Sequence, residues 1–114
     1  MGCWNATKIV NGHPVTENMG NVDDALLSDL TLDEQNIVVD WILENIFPRK
    51  TPLDHPSSYG LKHVLERDTK IYTTNNQFKD AMLFLGFHPV NGGELNWHFC
   101  ISKKSPGVKG RTFC

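Results

Sequence analysis

The chain has 114 residues and a formal net charge of −2, with 39% hydrophobic and 21% charged residues. This composition is typical of one globular domain and excludes a disordered or collagen-like chain. No apolar run approaches the roughly 20 residues of a transmembrane helix, so no membrane partner is expected. Three scattered cysteines, with no Cys-x-x-Cys pair and no secretory signal, predict free thiols and a cytoplasmic location.

Charge is distributed unevenly along the chain. Residues 1–45 contain eight acidic residues and one lysine, whereas residues 46–114 contain ten basic and five acidic residues. Such asymmetry indicates either an anionic partner for the basic half or attraction between the two halves within the fold.

Residues 1–30 are rich in turn-forming residues and lack a clear period, which predicts an irregular arm packed on, or flexibly attached to, the rest of the domain. A short hairpin is the alternative, with Thr7–Val10 and His13–Thr16 as its strands and Asn11-Gly12 as its turn. Trp4 lies on this arm. It would suit partner docking if exposed, or it packs back and is buried.

Three helices are predicted after this arm. Thr31 and Glu34 form a capping box, and apolar residues then recur at helical spacing until Pro48, which predicts a first helix over about 32–46. A proline-containing connection precedes a second helix over about 58–67. The third helix begins at a Thr74 or Asn75 cap and ends at Gly86.

The period then changes from helical to two. Leu95, Trp97, Phe99 and Ile101 alternate with polar residues, which predicts a β-strand with one packed face. With Phe87–Val90 as the other strand and 91–93 as the turn, this predicts a C-terminal hairpin. The fold class is therefore predicted as α+β and winged-helix-like, with the domain over 31–104 and a mobile basic tail over 105–114.

Several of these stretches resemble known proteins. They are Ser58–His63, Thr74–Met82, Leu85–Phe87 and Asn96–Phe99. Together they resemble small proteins of unassigned role from prophages and mobile elements of Gram-positive bacteria. The second half of the chain also resembles the winged-helix tail of phage-type primases, where a polar cap, a Phe on a short helix, a Gly-Phe stop and an aromatic hairpin follow in this order. The resemblance covers less than half of the chain, and its motifs are mostly structural.

In a winged helix, the third helix would enter the major groove of DNA. Asn and Gln side chains can pair with adenine edges there, and Lys can neutralise phosphate. The first hypothesis is thus a phage or mobile-element accessory protein that binds nucleic acid or a nucleic-acid enzyme. The residues predicted to make the contact are Asn75, Asn76, Gln77, Lys79, Lys103 and Lys104.

The second hypothesis is a protein-binding inhibitor or adaptor acting on a host complex, as an anti-CRISPR protein does. The acidic first 45 residues would then dock on a basic surface. His98 and Cys100 share one strand face and could begin a zinc site with His88 and Cys114, but a second close pair of ligands is missing. We therefore predict no metal, no cofactor and no catalytic residue. Partner identity and oligomeric state stay open.

Overall fold

The computed structural model describes residues 6–111, in which a small sheet precedes three helices. The sheet is formed by β1 (Thr7–Val10), β2 (His13–Asn18) and β3 (Asn21–Asp23). One 3₁₀ turn, Leu27–Asp29, leads into the helices. The helices are α1 (Leu32–Asn45), α2 (Ser58–Thr69) and α3 (Asn75–Phe84).

The sheet is an antiparallel meander in the order β1-β2-β3. Thr7 is the partner of Thr16 and Val10 that of His13, so the hairpin predicted around Asn11-Gly12 is confirmed. Both turn residues have positive φ, 53° and 81°, as a two-residue hairpin turn requires. The part of the predicted arm that the structure describes is therefore a sheet, and its inner face packs on α3.

The ends of the helices follow their local signals. Thr31 and Glu34 form the predicted capping box of α1. Oγ1 of Thr74 accepts from the N–H of Gln77 and so caps α3, and the N–H of Thr74 donates in return to Oε1 of Gln77. Gly86 then ends α3 at φ +91°, and the N–H of Phe87 donates to the carbonyl oxygen of Met82 at 2.9 Å. This is the left-handed stop that glycine permits.

The core lies where the three helices meet the extended segment 97–101. Val38, Trp41 and Ile42 of α1 contact this core, and Trp97 from the segment is fully buried in it. The rings of Trp97 and Phe99 pack edge to face with centroids 6.2 Å apart. The other buried apolar residues are Leu27, Ile46, Leu61, Val64, Leu65, Phe78, Ala81, Met82 and Ile101.

The winged-helix-like fold expected from the sequence is wrong. The structure is α+β, but its sheet lies before the helices, and residues 87–102 form no strand. Pro89 and Phe99 make only an isolated bridge. The carbonyl groups of Trp97, Phe99 and Cys100 accept instead from the N–H groups of Ser58, Leu53 and Arg49. The alternating pattern therefore reflects an extended segment with one buried face. This segment forms hydrogen bonds with the connection after α1 and with the start of α2.

The described part of the predicted mobile tail packs against α1. Ser105 is buried, and its Oγ accepts from the N–H of Phe47 at 2.9 Å. Gly107 donates to the carbonyl oxygen of Asn45 at 2.8 Å. Within residues 6–111, no helix is both long enough and apolar enough to cross a bilayer.

Candidate functional site

Lys79, predicted to neutralise phosphate, is fully buried between α3 and the sheet. Its Nζ donates to Oγ1 of Thr7 at 2.8 Å and to Oγ1 of Thr16 at 2.9 Å. The ammonium also lies 5.1 Å from the centroid of the Trp97 ring, a favourable cation–π distance. The side chain therefore joins the sheet to the helical core and has no access to a partner.

Each of the two threonine hydroxyl groups that accept from Lys79 also donates a hydrogen bond of its own. Thr7 donates to the carbonyl oxygen of Glu94 at 2.6 Å, and Thr16 donates to Oδ1 of Asn76 at 2.8 Å. Burial lowers the pKa of Lys79 to about 8, and the negative charge of Asp23 offsets part of that shift. Removal from water disfavours the charged form of a lysine and therefore lowers its pKa.

The three polar residues at the start of α3 are also tied to the interior. Asn76 is fully buried, and its amide donates to the carbonyl oxygens of Pro14 and Ala25, both at 2.8 Å. Gln77 completes the capping box of α3 with Thr74. Asn75 donates to Oδ1 of Asn96 at 2.8 Å. The surface that these residues were expected to present to a DNA groove is the contact between α3 and the rest of the chain.

Lys103 and Lys104 are the two predicted residues that face solvent. They follow Ile101, whose bridge to Pro48 brings the connection after α1 beside them. Exposed Lys50 lies on that connection, and exposed Lys109 follows in the C-terminal segment. Of the six residues predicted to contact nucleic acid, the four on α3 form hydrogen bonds within the chain. The other two, Lys103 and Lys104, are exposed.

A groove of about 460 Å³ lies between α1 and α3, and we call it the α1–α3 groove. Its apolar walls are formed by Leu27, Val39, Leu83 and Phe84. Its polar side chains are His13, Ser28, Gln35, Asn36 and Asp80. Small numbers of polar groups on apolar walls are the usual make-up of a binding site.

His13 and Asp80 are joined by a side-chain hydrogen bond in this groove. Nδ1 of His13 lies 2.7 Å from Oδ1 of Asp80, and the carboxylate is nearly buried while the imidazole is half exposed. The other carboxylate oxygen accepts from the N–H of Leu27 at 2.9 Å. Asp80 is thereby held on two sides and orients the imidazole, leaving Nε2 as the polar atom that a ligand in the groove can meet.

A second cavity of about 470 Å³, which we call the asparagine cleft, shares no lining residue with the α1–α3 groove. Its polar lining is Thr16, Asn18, Asn21, Asp23, Asn75 and Asn96. Val22, Tyr59 and Leu95 supply its apolar surface. The turn between β2 and β3, the starts of α2 and α3, and the 95–96 loop meet there.

Sequence reasoning missed both cavities, because their residues are far apart in the chain. His13 and Asp80 are separated by 67 positions, and no motif marks either residue. The capping signal at Thr74 and the Asn11-Gly12 turn predicted the local elements but not their contact. Within residues 6–111, no three His, Cys, Asp or Glu side chains are arranged to hold a metal ion. Cys3, Trp4 and Cys114 lie outside the described residues.

Comparison with known proteins yields no matching family model, curated protein or solved structure. The resemblance to prophage proteins and to primase tails therefore stays a prediction, and the function is inferred from the surfaces described above.

Proposed function

We propose that this chain is a protein-binding adaptor or inhibitor domain that holds an apolar segment of a partner in the α1–α3 groove. The observation that carries the proposal is the exposure of large apolar side chains at this groove. Phe84, on its wall, is 72% exposed. Leu32 and Leu43 are 71% and 56% exposed. They lie eleven positions apart on α1, which places them on the same side of the helix as the groove residues Asn36 and Val39.

The charge around the groove selects the kind of partner. No lysine or arginine occurs between Lys8 and Arg49. Exposed carboxylates lie on the 3₁₀ turn and along α1, at Asp29, Asp33, Asp40 and Glu44. An apolar groove with an acidic border is complementary to a segment in which large apolar residues are flanked by Lys or Arg. The acidic first 45 residues thus supply the charged border of the α1–α3 groove.

A selection of displayed random peptides on the full chain tests this proposal. We expect enriched peptides to contain a large apolar residue flanked by basic residues, and we expect their affinity to fall as salt is raised. Phe84→Ala should weaken binding by about tenfold or more, because central apolar anchors dominate interface energetics. Its exposed position makes the substitution safe for folding.

Val90→Ala is the matched control, since Val90 is similarly exposed but lies outside the groove. It should bind the selected peptides as the unaltered chain does. Enrichment of acidic or purely polar peptides would contradict the proposal. Equal binding by the Phe84→Ala and Val90→Ala variants would do the same.

Nucleic-acid binding is the second candidate, and the exposed lysines favour it. Lys50, Lys103, Lys104 and Lys109 are all exposed, in segments that the bridge from Pro48 to Ile101 holds together. Such a small cluster predicts weak, salt-dependent contact with phosphates. The test is DNA binding at low salt by the full chain and by a Lys103→Glu/Lys104→Glu double variant. This candidate fails if the two bind equally or neither binds.

A further inference from the structure

We propose that the asparagine cleft is a second binding site, and that its ligand is an uncharged nucleobase carried by a nucleoside. The cleft shares no lining residue with the α1–α3 groove, so this inference does not depend on the proposed partner. Its volume of about 470 Å³ falls within the range of small-molecule sites.

One hairpin turn brings two asparagine side chains to the cleft. Asn18 and Asn21 are cross-strand partners on either side of the Met19-Gly20 turn. Both turn residues have positive φ, 53° and 85°, which is the geometry of a tight hairpin turn. The turn therefore holds two carboxamide side chains next to each other at the mouth of the cleft.

The amide of Asn75 orients the amide of Asn96. Asn75 accepts from Oγ of Ser58 at 2.8 Å and donates to Oδ1 of Asn96 at 2.8 Å. The oxygen of Asn96 is thereby engaged, and its NH₂ group is left as a donor. Within residues 6–111, that NH₂ group and the side chains of Asn18 and Asn21 make no hydrogen bond to protein. Free donors and acceptors therefore converge on the cleft from two separate elements.

Asp23 is the one charged residue in the lining of the cleft. No lysine, arginine or histidine lines the cleft, so it offers no counter-charge to a phosphate or carboxylate. The single acid, Asp23, accepts from the N–H groups of Ala25 and Asn76 at 3.3 and 3.2 Å, and so serves the backbone. The ammonium of Lys62 lies 5.3 Å from the centroid of the Tyr59 ring but is not a lining group, so the lining itself favours a neutral ligand.

The cleft also has an aromatic and apolar surface. The Tyr59 side chain, 45% exposed, lines the cleft together with Val22 and Leu95. A nucleobase combines a flat ring that packs on aromatic and apolar side chains with an edge of mixed donors and acceptors. Carboxamide side chains pair with such edges, and unpaired bases stack on tyrosine. The cleft supplies both kinds of contact.

Titration with nucleosides, followed by amide chemical-shift changes in NMR spectra of the full chain, tests this site. We expect at least one of adenosine, guanosine, cytidine and uridine to shift resonances of residues around Asn21 and Asn96. Its 5′-monophosphate should bind no more tightly, because no Lys, Arg or His side chain lines the cleft. Glucose, which carries hydroxyl groups but no aromatic ring, should not bind.

Two matched variants make the test specific. Asn21→Ala, at an exposed turn position, should reduce nucleoside affinity by about tenfold, the worth of a lost amide–base pairing. Asn36→Ala removes an exposed asparagine from the α1–α3 groove and should leave nucleoside binding unchanged. The proposal is overturned if no nucleoside binds at 10 mM, if glucose binds as well, or if both variants behave alike. Peptide binding at the α1–α3 groove is measured separately, so either site can fail alone.

Discussion

Lys79 of α3 donates a hydrogen bond to Thr16 of β2, with Nζ 2.9 Å from Oγ1, in a fully buried setting. The contact between sheet and helix is therefore polar at its centre. Thr7 of β1 accepts a hydrogen bond from the same ammonium, and Oδ1 of Asn76 accepts one from the hydroxyl group of Thr16. The sheet is joined to the helices through a buried charge rather than through apolar packing alone.

The buried ammonium predicts a dependence of stability on pH. Since burial lowers the pKa of Lys79 from 10.5 to about 8, the unfolded chain binds more protons than the folded chain between these values. The free energy of unfolding should therefore rise with pH over this window, by an amount on the order of 3 kcal/mol.

Urea unfolding of the unaltered chain and of a Lys79→Met variant between pH 7 and 10.5 measures this effect, because subtraction removes the contribution of other groups. The difference between them should shift in favour of the unaltered chain as pH rises above 8. A difference that stays constant would mean that folding does not lower the pKa of Lys79.

Loss of the Asp80 carboxylate should destabilise the chain through two broken contacts. Asp80→Ala leaves the N–H of Leu27 buried without an acceptor and removes the partner of His13. We expect a cost of about 2–3 kcal/mol, because an unsatisfied buried donor is added to a lost charged hydrogen bond. Asp80→Asn keeps an oxygen for Leu27 and should cost less. Chemical denaturation of both variants would decide, and equal losses would show that the Leu27 contact contributes nothing.

Asn76→Ala should be one of the costly polar substitutions in the chain. It removes the donors to the carbonyl oxygens of Pro14 and Ala25 and the acceptor of Thr16, all in the interior. The expected loss is about 2–3 kcal/mol. Asn36→Ala, at an exposed position, should change the midpoint of thermal unfolding very little. If Asn76 served to contact a partner from the surface, the two variants would be equally stable.

Gly107→Ala should test whether the C-terminal segment is part of the core. An added Cβ would lie 3.0 Å from the carbonyl oxygen of Asn45 and 3.1 Å from a ring carbon of Trp41. Since the nearer atom is backbone, relief requires the segment to shift, and we expect a cost of about 1–3 kcal/mol.

Gly92→Ala is the control for that substitution, because its added Cβ meets only Pro89 at an ordinary 3.6 Å. It should be nearly neutral in a thermal melt. A Gly107→Ala variant as stable as this control would mean that residues 105–111 do not pack on α1.

Local signals in the sequence determined the individual elements. The Thr31 and Glu34 box, the Thr74 cap and the Gly86 stop each depend on hydrogen bonds within one turn of chain, so they could be predicted without the fold. The Asn11-Gly12 hairpin follows for the same reason. The packed face of Trp97 could also be predicted, because alternation along an extended segment reports burial on one side.

Only the tertiary structure decided what those elements contact. The carbonyl oxygens of Trp97, Phe99 and Cys100 accept from the connection after α1 and from the first residue of α2, and alternation cannot say which neighbouring segment pairs with them. Lys79 and Asn76 look like surface residues on a short polar helix until the N-terminal sheet covers them. Burial and pairing are set by contacts between residues that are 39 to 72 positions apart, and local propensity carries no information about such long-range contacts. His13 and Asp80 are 67 positions apart in the sequence and meet only in the folded chain. Both cavities are likewise formed only when distant segments come together.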